Sequence, residues 1–138
     1  MPSEIQSWPS HVLTYRASDL IRYAAASGDF NPIHYDSESA RSAGLPGVVV
    51  HGMLNMAVVG RYLDTMTQGR YRPREWKARF KGIVQPNQAV RLDGKMKHQD
   101  PDGALVAAVT ITIVGESKPA LVAEAVLIPI TPRDVQDA

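Results

Sequence analysis

The sequence predicts an α+β fold in which an antiparallel sheet packs against one long buried helix. From Met53 to Met66 the apolar side chains cover most of a helix circumference, which predicts a helix buried on nearly all sides. Segments of strand character follow, separated by turns rich in Pro, Asn, Asp and Gly, at residues 75–84, 89–98, 104–115 and 120–130. A buried helix followed by hairpin-linked strands is typical of the α+β class.

Length and composition indicate one globular domain. The 138 residues suit a single core, and we assign one domain to residues 1–138, with 1–10 as an irregular N-terminal lead-in. Hydrophobic residues make up 44% and charged residues 21%, which excludes disordered and fibrous classes. Because cysteine is absent, disulfides, thiolate chemistry and cysteine metal ligands are excluded.

The charge balance bears on partners and location. A formal net charge of +1 provides no basis for a nucleic acid or an anionic membrane surface as partner. The N-terminus lacks the pattern of a signal peptide, and the apolar runs are too short to span a bilayer. We therefore expect a cytoplasmic protein.

The N-terminal third predicts a strand and a capped helix. His11–Arg16 is rich in β-branched and aromatic residues and is predicted to be a short strand. Ser18 is predicted to be the N-cap of the following helix, with Asp19 in its first turn, and Gly28 to end that helix.

Three further features concern the middle of the chain. A short helix is predicted to begin at Asp36 or Ser37 and to end at Gly44. Gly60 costs its helix about 1 kcal/mol relative to alanine, so we expect another backbone to approach closely there. Residues 70–74 are predicted to be a basic linker, and an exposed sheet edge favours a homodimer.

The most informative stretch is the loop between Tyr23 and Asp36. Pro32 fixes its own φ and keeps Asn31 out of helical geometry, so the helix cannot continue. The loop therefore holds Asp29 and His34 in a set relation. On residues alone, the segment is compatible either with a functional loop or with a turn held by side-chain hydrogen bonds.

Three blocks of sequence resemble the MaoC-like, R-specific enoyl-CoA hydratase family. They are Tyr23 with Ser27–His34, then His51-Gly52-Met53, then Arg79–Pro86, and the similarity runs from about Tyr15 to Pro129. The first block is specific and the other two are supportive. The chain departs from the family at 87–88, where Asn-Gln replaces the Gly-Asp of many relatives.

The resemblance implies a hotdog fold and a hydro-lyase. The implied reaction is reversible addition of water to a trans-2-enoyl thioester, giving an R-3-hydroxyacyl thioester. Asp29 and His34 would share the reacting water, and the amide at Gly52 would polarise the thioester carbonyl. No separate cofactor is expected, because coenzyme A or an acyl-carrier phosphopantetheine is part of the substrate.

The chemistry of these groups leaves the proton roles open. An imidazole with a pKa near 6.5 suits removal of a proton from water. A carboxyl group near 3.9 is a poor donor, so Asp29 must be buried if it delivers the α-proton. The sequence does not assign base and acid within the pair.

The substrate is anionic, so positive side chains are expected near it. Arg79 and Lys81 alternate on a predicted strand and share a face; Arg70, Arg72 and Arg74 form a second candidate cluster, and either cluster can instead be a solvated face. The predicted substrate contacts are Asn31, His51, Met53, Arg79 and Lys81. Asn31 is expected mainly to brace the loop, and His51 to be structural rather than catalytic.

Other functions remain to be separated. Asp29, His34, Asp36 and His51 can be drawn as a metal site, but their spacing matches no familiar ligand pattern, and no metal is expected. A non-catalytic hotdog subunit, including one half of a dehydratase heterodimer, does not need both Asp29 and His34. An acyl thioesterase on the same fold would release free coenzyme A.

Overall fold

A computed structural model describes residues 5–136. Within these residues a single antiparallel sheet of six strands runs in the order β1-β4-β5-β6-β3, and β2 also pairs with β4. The strands are β1 Gln6–Ser7, β2 His11–Thr14, β3 Tyr71–Phe80, β4 Ala89–Gln99, β5 Leu105–Ile113 and β6 Leu121–Pro129. The sheet thus combines three long hairpin-linked strands at its centre with β3 at one edge.

The helices lie before and beside the sheet. They are α1 Ala17–Ser27, α2 Ser37–Ser42, α3 Gly52–Met66 and α4 Pro132–Gln136, with a 3-10 turn at Pro32–His34. Helix α3 packs on the sheet through a face that includes Val59, Tyr62 and Leu63. This confirms the predicted α+β class and the antiparallel sheet around one long helix.

Helix α3 is not buried all round in the single chain. Met53 is 57% exposed, and Ala57, one turn later, is exposed as well. The apolar pattern that predicted burial on nearly all sides is therefore satisfied on one face by the sheet, while another apolar face remains open.

Gly60 faces a side chain rather than a backbone. A Cβ atom at this position would lie 2.4 Å from Cη2 of Trp76, on β3. The prediction that another backbone approaches Gly60 was wrong. The indole ring of Trp76 occupies the space that the missing side chain leaves.

Two local predictions at the N-terminus are corrected. Residues 6–7 of the expected lead-in form a short strand, since Gln6 pairs with Met96 of β4; residues 1–4 lie outside the described residues. Helix α1 begins one residue before Ser18, and its N-cap is Arg16, whose amide donates to the Asp19 carboxylate at 2.8 Å.

The predicted basic linker is wrong, because residues 71–74 belong to β3. The strand pairs with β6 from Tyr71 onward, and its register shifts between Pro73 and Glu75. Proline is tolerated at an edge strand or a bulge, and β3 provides both. Pairing with a distant strand decided a conformation that local composition did not indicate.

The helix ends elsewhere follow the predicted chemistry. Gly28 ends α1 with φ of 77°, in the left-handed region where glycine is favoured, and Asp36 caps α2 by accepting from the Ser39 amide. Among the described residues, none of the helices has the length and apolar character needed to cross a bilayer.

Candidate active site

The loop after α1 is braced by a series of side-chain to backbone hydrogen bonds. Ser27 Oγ accepts from the Asp29 amide at 3.1 Å, and Asp29 Oδ1 accepts from the Asn31 amide at 3.2 Å. Asn31 Oδ1 then accepts from the Ile33 amide at 3.3 Å and caps the 3-10 turn. These short-range bonds hold the loop, and they occupy Asn31 in bracing, as the sequence suggested.

The loop places the carboxylate of Asp29 opposite the imidazole of His34. Asp29 Oδ2 lies 3.7 Å from His34 Nε2, too far for a good hydrogen bond and close enough for both groups to contact one small molecule. The His34 side chain is 9% exposed and that of Asp29 is 50% exposed. The burial that an acidic role for Asp29 requires is thus absent in the single chain.

The hydrogen bond at the far side of the ring defines the His34 tautomer. Its Nδ1 lies 2.7 Å from the carbonyl oxygen of Val49. Because a carbonyl oxygen can only accept, Nδ1 carries the hydrogen, and in the neutral ring Nε2 presents a lone pair toward Asp29. This is the arrangement of a ring prepared to take a proton at Nε2.

Val49 also ties the loop to the start of α3. Its amide donates to the carbonyl of Ile33 at 3.1 Å, and the next amide, that of Val50, donates to Val84 at 2.8 Å. The segment 48–50 is therefore held between the loop and the β3–β4 connection. This role of Val49 could not be predicted from the sequence, because it depends on a backbone carbonyl, which carries no residue-type signal.

A second histidine lies directly against the first. The rings of His34 and His51 are stacked, with centroids 3.7 Å apart and an interplanar angle of 20°. His51 Nε2 lies 3.3 Å from the backbone oxygen of Asp29, and the rings of His51 and Tyr23 lie edge-to-face with centroids 4.8 Å apart. Burial, and next the charge of a protonated His34, lower the pKa of His51 below its usual value.

The start of α3 completes the arrangement. The amides of Leu54 and Asn55 both donate to the His51 carbonyl, at 3.1 and 3.2 Å. Among residues 5–136, the amides of Gly52 and Met53 have no partner, as is usual in the first turn of a helix. These two N–H groups carry the positive end of the helix dipole and are suited to an oxyanion.

The last residue of β3 covers Gly52. A Cβ atom at Gly52 would lie 3.2 Å from Cε1 of Phe80, whose side chain is 51% exposed. Since successive strand residues point to opposite faces, Arg79 lies on the other face of the sheet from Phe80. Lys81 follows the end of the strand, and neither Arg79 nor Lys81 forms an ion pair with a described residue.

The second basic cluster is largely paired elsewhere. Arg72 Nη2 lies 3.6 Å from Asp134 Oδ1, and Arg74 Nη1 lies 3.7 Å from Asp102 Oδ2. These contacts join β3 to α4 and to the β4–β5 turn. Of the predicted site residues, the structure brings together Asp29, His34, His51 and Gly52, with Met53 exposed beside them, and separates Arg79 from them.

The candidate metal ligands are close together but poorly oriented. Single ligand atoms of Asp29, His34 and His51 lie within 4.8 Å of one another, and Asp36 caps α2 instead. Stacked imidazoles direct their lone pairs in nearly parallel planes, whereas a bound ion requires lone pairs that converge. The geometry suits proton transfer better than metal binding.

A cavity lies close to Tyr23. It has a volume of about 710 Å³ between α1, β2 and α3, and its walls include Tyr23, Leu54, Val58 and Tyr62. Tyr23 thus lines this cavity and also contacts the ring of His51. Tyr23 was not predicted to contact His51, although it belongs to the first block of resemblance.

Residues 5–116 match the family described as "MaoC like domain", and the chain belongs to this family. The hydratases and dehydratases of MaoC-like type are therefore the class to which the family match and the fold point. The match covers the loop, both histidines, the start of α3 and all of β3.

Two curated relatives with similar sequences are enzymes of fatty-acid synthesis. It is 38% identical over 95 residues to the fatty acid synthase beta subunit hexB of Dothistroma septosporum, covering 66% of this chain and 5% of the relative. It is 32% identical over 97 residues to a mitochondrial 3-hydroxyacyl-[acyl-carrier-protein] dehydratase of Arabidopsis thaliana, covering 70% and 51%. The chain thus spans a small part of the synthase subunit and about half of the plant enzyme.

Solved structures show the same hotdog fold. The R-hydratase PhaJ1 of Pseudomonas aeruginosa has a TM-score of 0.82 at 22% identity, covering 90% of this chain and 79% of that one. The ChsH1-ChsH2 complex of Mycobacterium tuberculosis has a TM-score of 0.83 at 17% identity, covering 93% and 99%.

Proposed function

We propose that this protein catalyses the reversible hydration of trans-2-enoyl thioesters to R-3-hydroxyacyl thioesters. The observation that carries the proposal is the relation between Asp29 and His34, whose reactive atoms lie 3.7 Å apart. The amides of Gly52 and Met53, which have no hydrogen-bond partner among residues 5–136, support it. Membership of the MaoC-like family and the similarity to a 3-hydroxyacyl dehydratase and to R-hydratases support the reaction class.

His34 is proposed to take the proton from water. Its Nδ1 hydrogen is held by Val49, so Nε2 accepts the proton while the hydroxyl oxygen attacks C3 of the enoyl group. The carboxylate of Asp29 faces the imidazolium that forms. The same proton returns to C2, directly or through Asp29, so the elements of water add to one face and the pair regains its starting state.

The start of α3 is proposed to stabilise the charge that develops on the thioester oxygen. The amides of Gly52 and Met53 point out of the first turn, and removing one such donor typically costs about 2.7–4 kcal/mol in the transition state. A glycine at this position leaves room for the thioester beside Phe80. The proton-transfer pair and the proposed oxyanion donors are thus linked through His51, which stacks on His34 and directly precedes Gly52.

The substrate is proposed to be an acyl thioester of coenzyme A or of an acyl-carrier phosphopantetheine, with no other cofactor. A second copy of the chain, or a related hotdog subunit, is proposed to pair at the open edge of β3 and to cover the exposed face of α3. Two of the structurally similar proteins, ChsH1-ChsH2 and HadBC, are described as complexes of two subunits.

The test is a thioester assay with chiral product analysis. The purified protein is given crotonyl-coenzyme A and crotonyl-carrier protein, and loss of the conjugated enoyl absorbance is followed in both directions. We expect an R-3-hydroxyacyl product, and we expect Asp29→Asn to lower kcat by about 10²-fold or more. The matched control is Asp102→Asn, an exposed aspartate away from the site, which leaves turnover unchanged.

Two outcomes would contradict the proposal. Equal turnover in the wild type and Asp29→Asn would show that the Asp29–His34 pair does not take part in the reaction. Release of free coenzyme A, measured by a thiol reagent, without formation of a 3-hydroxyacyl product would indicate a thioesterase.

A further inference from the structure

His51 has more contacts to the proposed machinery than a core residue requires. Its ring stacks on His34 at 3.7 Å, and its Nε2 donates to the backbone oxygen of Asp29 at 3.3 Å. Its own backbone carbonyl accepts the first two hydrogen bonds of α3 and so orients the amide of Gly52. One residue thus contacts the base, the loop of the carboxylate and the oxyanion donor.

The other ring nitrogen of His51 is unusual. Nδ1 is buried and has no hydrogen-bond partner among the described residues, and the residue is 1% exposed. Since Nε2 carries the hydrogen that the backbone oxygen of Asp29 accepts, Nδ1 holds a lone pair at a buried position. A proton at Nδ1 would have no acceptor among the described residues, so burial favours the neutral ring.

We propose that His51 is a positioning residue that keeps a neutral imidazole stacked on His34 and links the proton-transfer pair to the oxyanion donor. This inference rests on the function proposed above. When His34 takes the proton from water, a neutral aromatic face lies against the new imidazolium, and this contact is favourable. A charged His51 would instead place two like charges 3.7 Å apart and oppose that step.

The surroundings of His51 support this state. The titratable groups that face it are His34, whose ring is stacked on it, Tyr23, whose ring lies edge-to-face with it, and Asp29 through the loop. Burial and the neighbouring imidazole lower the pKa of His51, and they outweigh the hydrogen bond to the Asp29 backbone and the charge of the Asp29 carboxylate, which act in the opposite direction. No acidic side chain among the described residues lies within hydrogen-bonding distance of Nδ1 to reverse this.

Two substitutions separate the two contacts of the side chain. His51→Gln keeps an N–H donor for the Asp29 carbonyl and loses the ring, whereas His51→Phe keeps a ring against His34 and loses the donor. With crotonyl thioester we expect each to lower kcat about tenfold or more, with KM changed less than threefold. Combined with Asp29→Asn, each adds little further loss, because His51 acts through the same pair.

The control is Thr112→Val, which alters a buried polar residue of β5 away from the loop. It is expected to change the melting temperature without changing kcat. If the His51 variants behave like this control, losing stability with kcat unchanged, or if their effects add fully to that of Asp29→Asn, the positioning role is overturned.

A measurement without turnover tests the inference independently of the proposed function. Nitrogen NMR of the imidazole rings in the folded wild type reports tautomer and charge. We expect hydrogen on Nε2 of His51 and on Nδ1 of His34, with His51 neutral at pH 7. A protonated His51, or one with hydrogen on Nδ1, contradicts the inference even if the enzyme is active. An inactive wild type with the expected tautomers contradicts the proposed function alone.

Discussion

Nε2 of His34 lies 3.7 Å from Oδ2 of Asp29, while Nδ1 of the same ring is held at 2.7 Å by the carbonyl of Val49. The first distance leaves space for a shared small molecule, and the second defines which nitrogen can accept a proton. The two contacts come from different parts of the chain. The pair therefore depends both on the loop that carries it and on the segment that precedes α3.

The amide of Gly52 can be removed without removing the helix. Proline is favoured at the first helical position, and His51 already has the extended φ and ψ, −56° and 132°, that a residue before proline requires. We expect Gly52→Pro to lower kcat by 10²- to 10³-fold, because it deletes an oxyanion donor. The measurement is steady-state kinetics, with circular dichroism to verify the helix content.

The matched control is Gly52→Ala, which adds the same Cβ beside Phe80 and keeps the N–H group. Phe80 is half exposed, so its ring can move by the few tenths of an ångström that the contact requires. Equal kinetic losses in the proline and alanine variants would show that crowding at Phe80, and not the donor, determines activity.

We expect the titration of His51 to contribute to the pH dependence of stability. The pKa of His51 is lowered in the folded protein. Below its pKa of about 6.5 in the unfolded chain, the unfolded chain therefore binds a proton at His51 more readily than the folded chain does. Stability is therefore highest above that pH, falls as the pH decreases toward the folded pKa, and then levels off. Each unit by which folding lowers the pKa of His51 corresponds to about 1.4 kcal/mol in the free energy of unfolding.

Thermal unfolding of the wild type and His51→Gln between pH 8 and 5 measures this contribution. We expect the melting temperature of the wild type to fall more steeply below about pH 6.5 than that of the variant. Parallel curves would mean that His51 titrates alike in the folded and unfolded chain.

Gly60 should not tolerate alanine. Helix propensity alone would favour the substitution by about 1 kcal/mol, but the new Cβ would lie 2.4 Å from the rigid indole of Trp76. Overpacking of this kind typically costs about 1–3 kcal/mol, so we expect a net loss of up to about 2 kcal/mol and a lower melting temperature. Denaturant unfolding gives the value directly.

A second experiment introduces Gly60→Ala into a Trp76→Phe variant. The smaller ring leaves space for the methyl group, so Gly60→Ala should become neutral or stabilising there. A destabilisation of equal size in both backgrounds would exclude Trp76 as its cause.

The two cations at the end of β3 should differ in effect. Lys81 follows Phe80, whose ring covers Gly52, whereas Arg79 lies on the opposite face of the sheet. Because β3 ends at Phe80, strand alternation no longer determines where the Lys81 side chain points, although within a strand it would share a face with Arg79. We expect Lys81→Ala to raise KM for a coenzyme A thioester severalfold with little change in kcat, more strongly at low salt. Arg79→Ala is the matched control, and a larger effect of Arg79 on KM would reverse this assignment.

Much of the candidate site was predictable because its chemistry is local. Pro32 and Asn31 make the loop non-helical, and its braces join residues two positions apart, so the segment from Ser27 to His34 folds as its composition indicates. The family resemblance located Asp29, His34 and Gly52, and the structure brings these three together. Their roles in catalysis stay predictions.

The failures have a common physical origin. Residues 71–74 look like a basic linker, yet pairing with β6 makes them a strand, with Pro73 accommodated beside a register shift. Ser18 is a good N-cap by type, but the bond between the Arg16 amide and Asp19 starts the helix earlier. In each case a competing interaction, with a distant strand for residues 71–74 and with a side chain three residues away for the start of α1, outweighed the preference of the residue itself.

By itself, the sequence determined the secondary-structure periodicity, the braced loop and the glycine at the start of α3, because these depend on side-chain type and short-range hydrogen bonds. Only the tertiary structure decided that His51 stacks on His34, that Val49 defines the tautomer and that Trp76 fills the space above Gly60. These contacts join segments separated along the chain, and their geometry depends on how the sheet and α3 pack together.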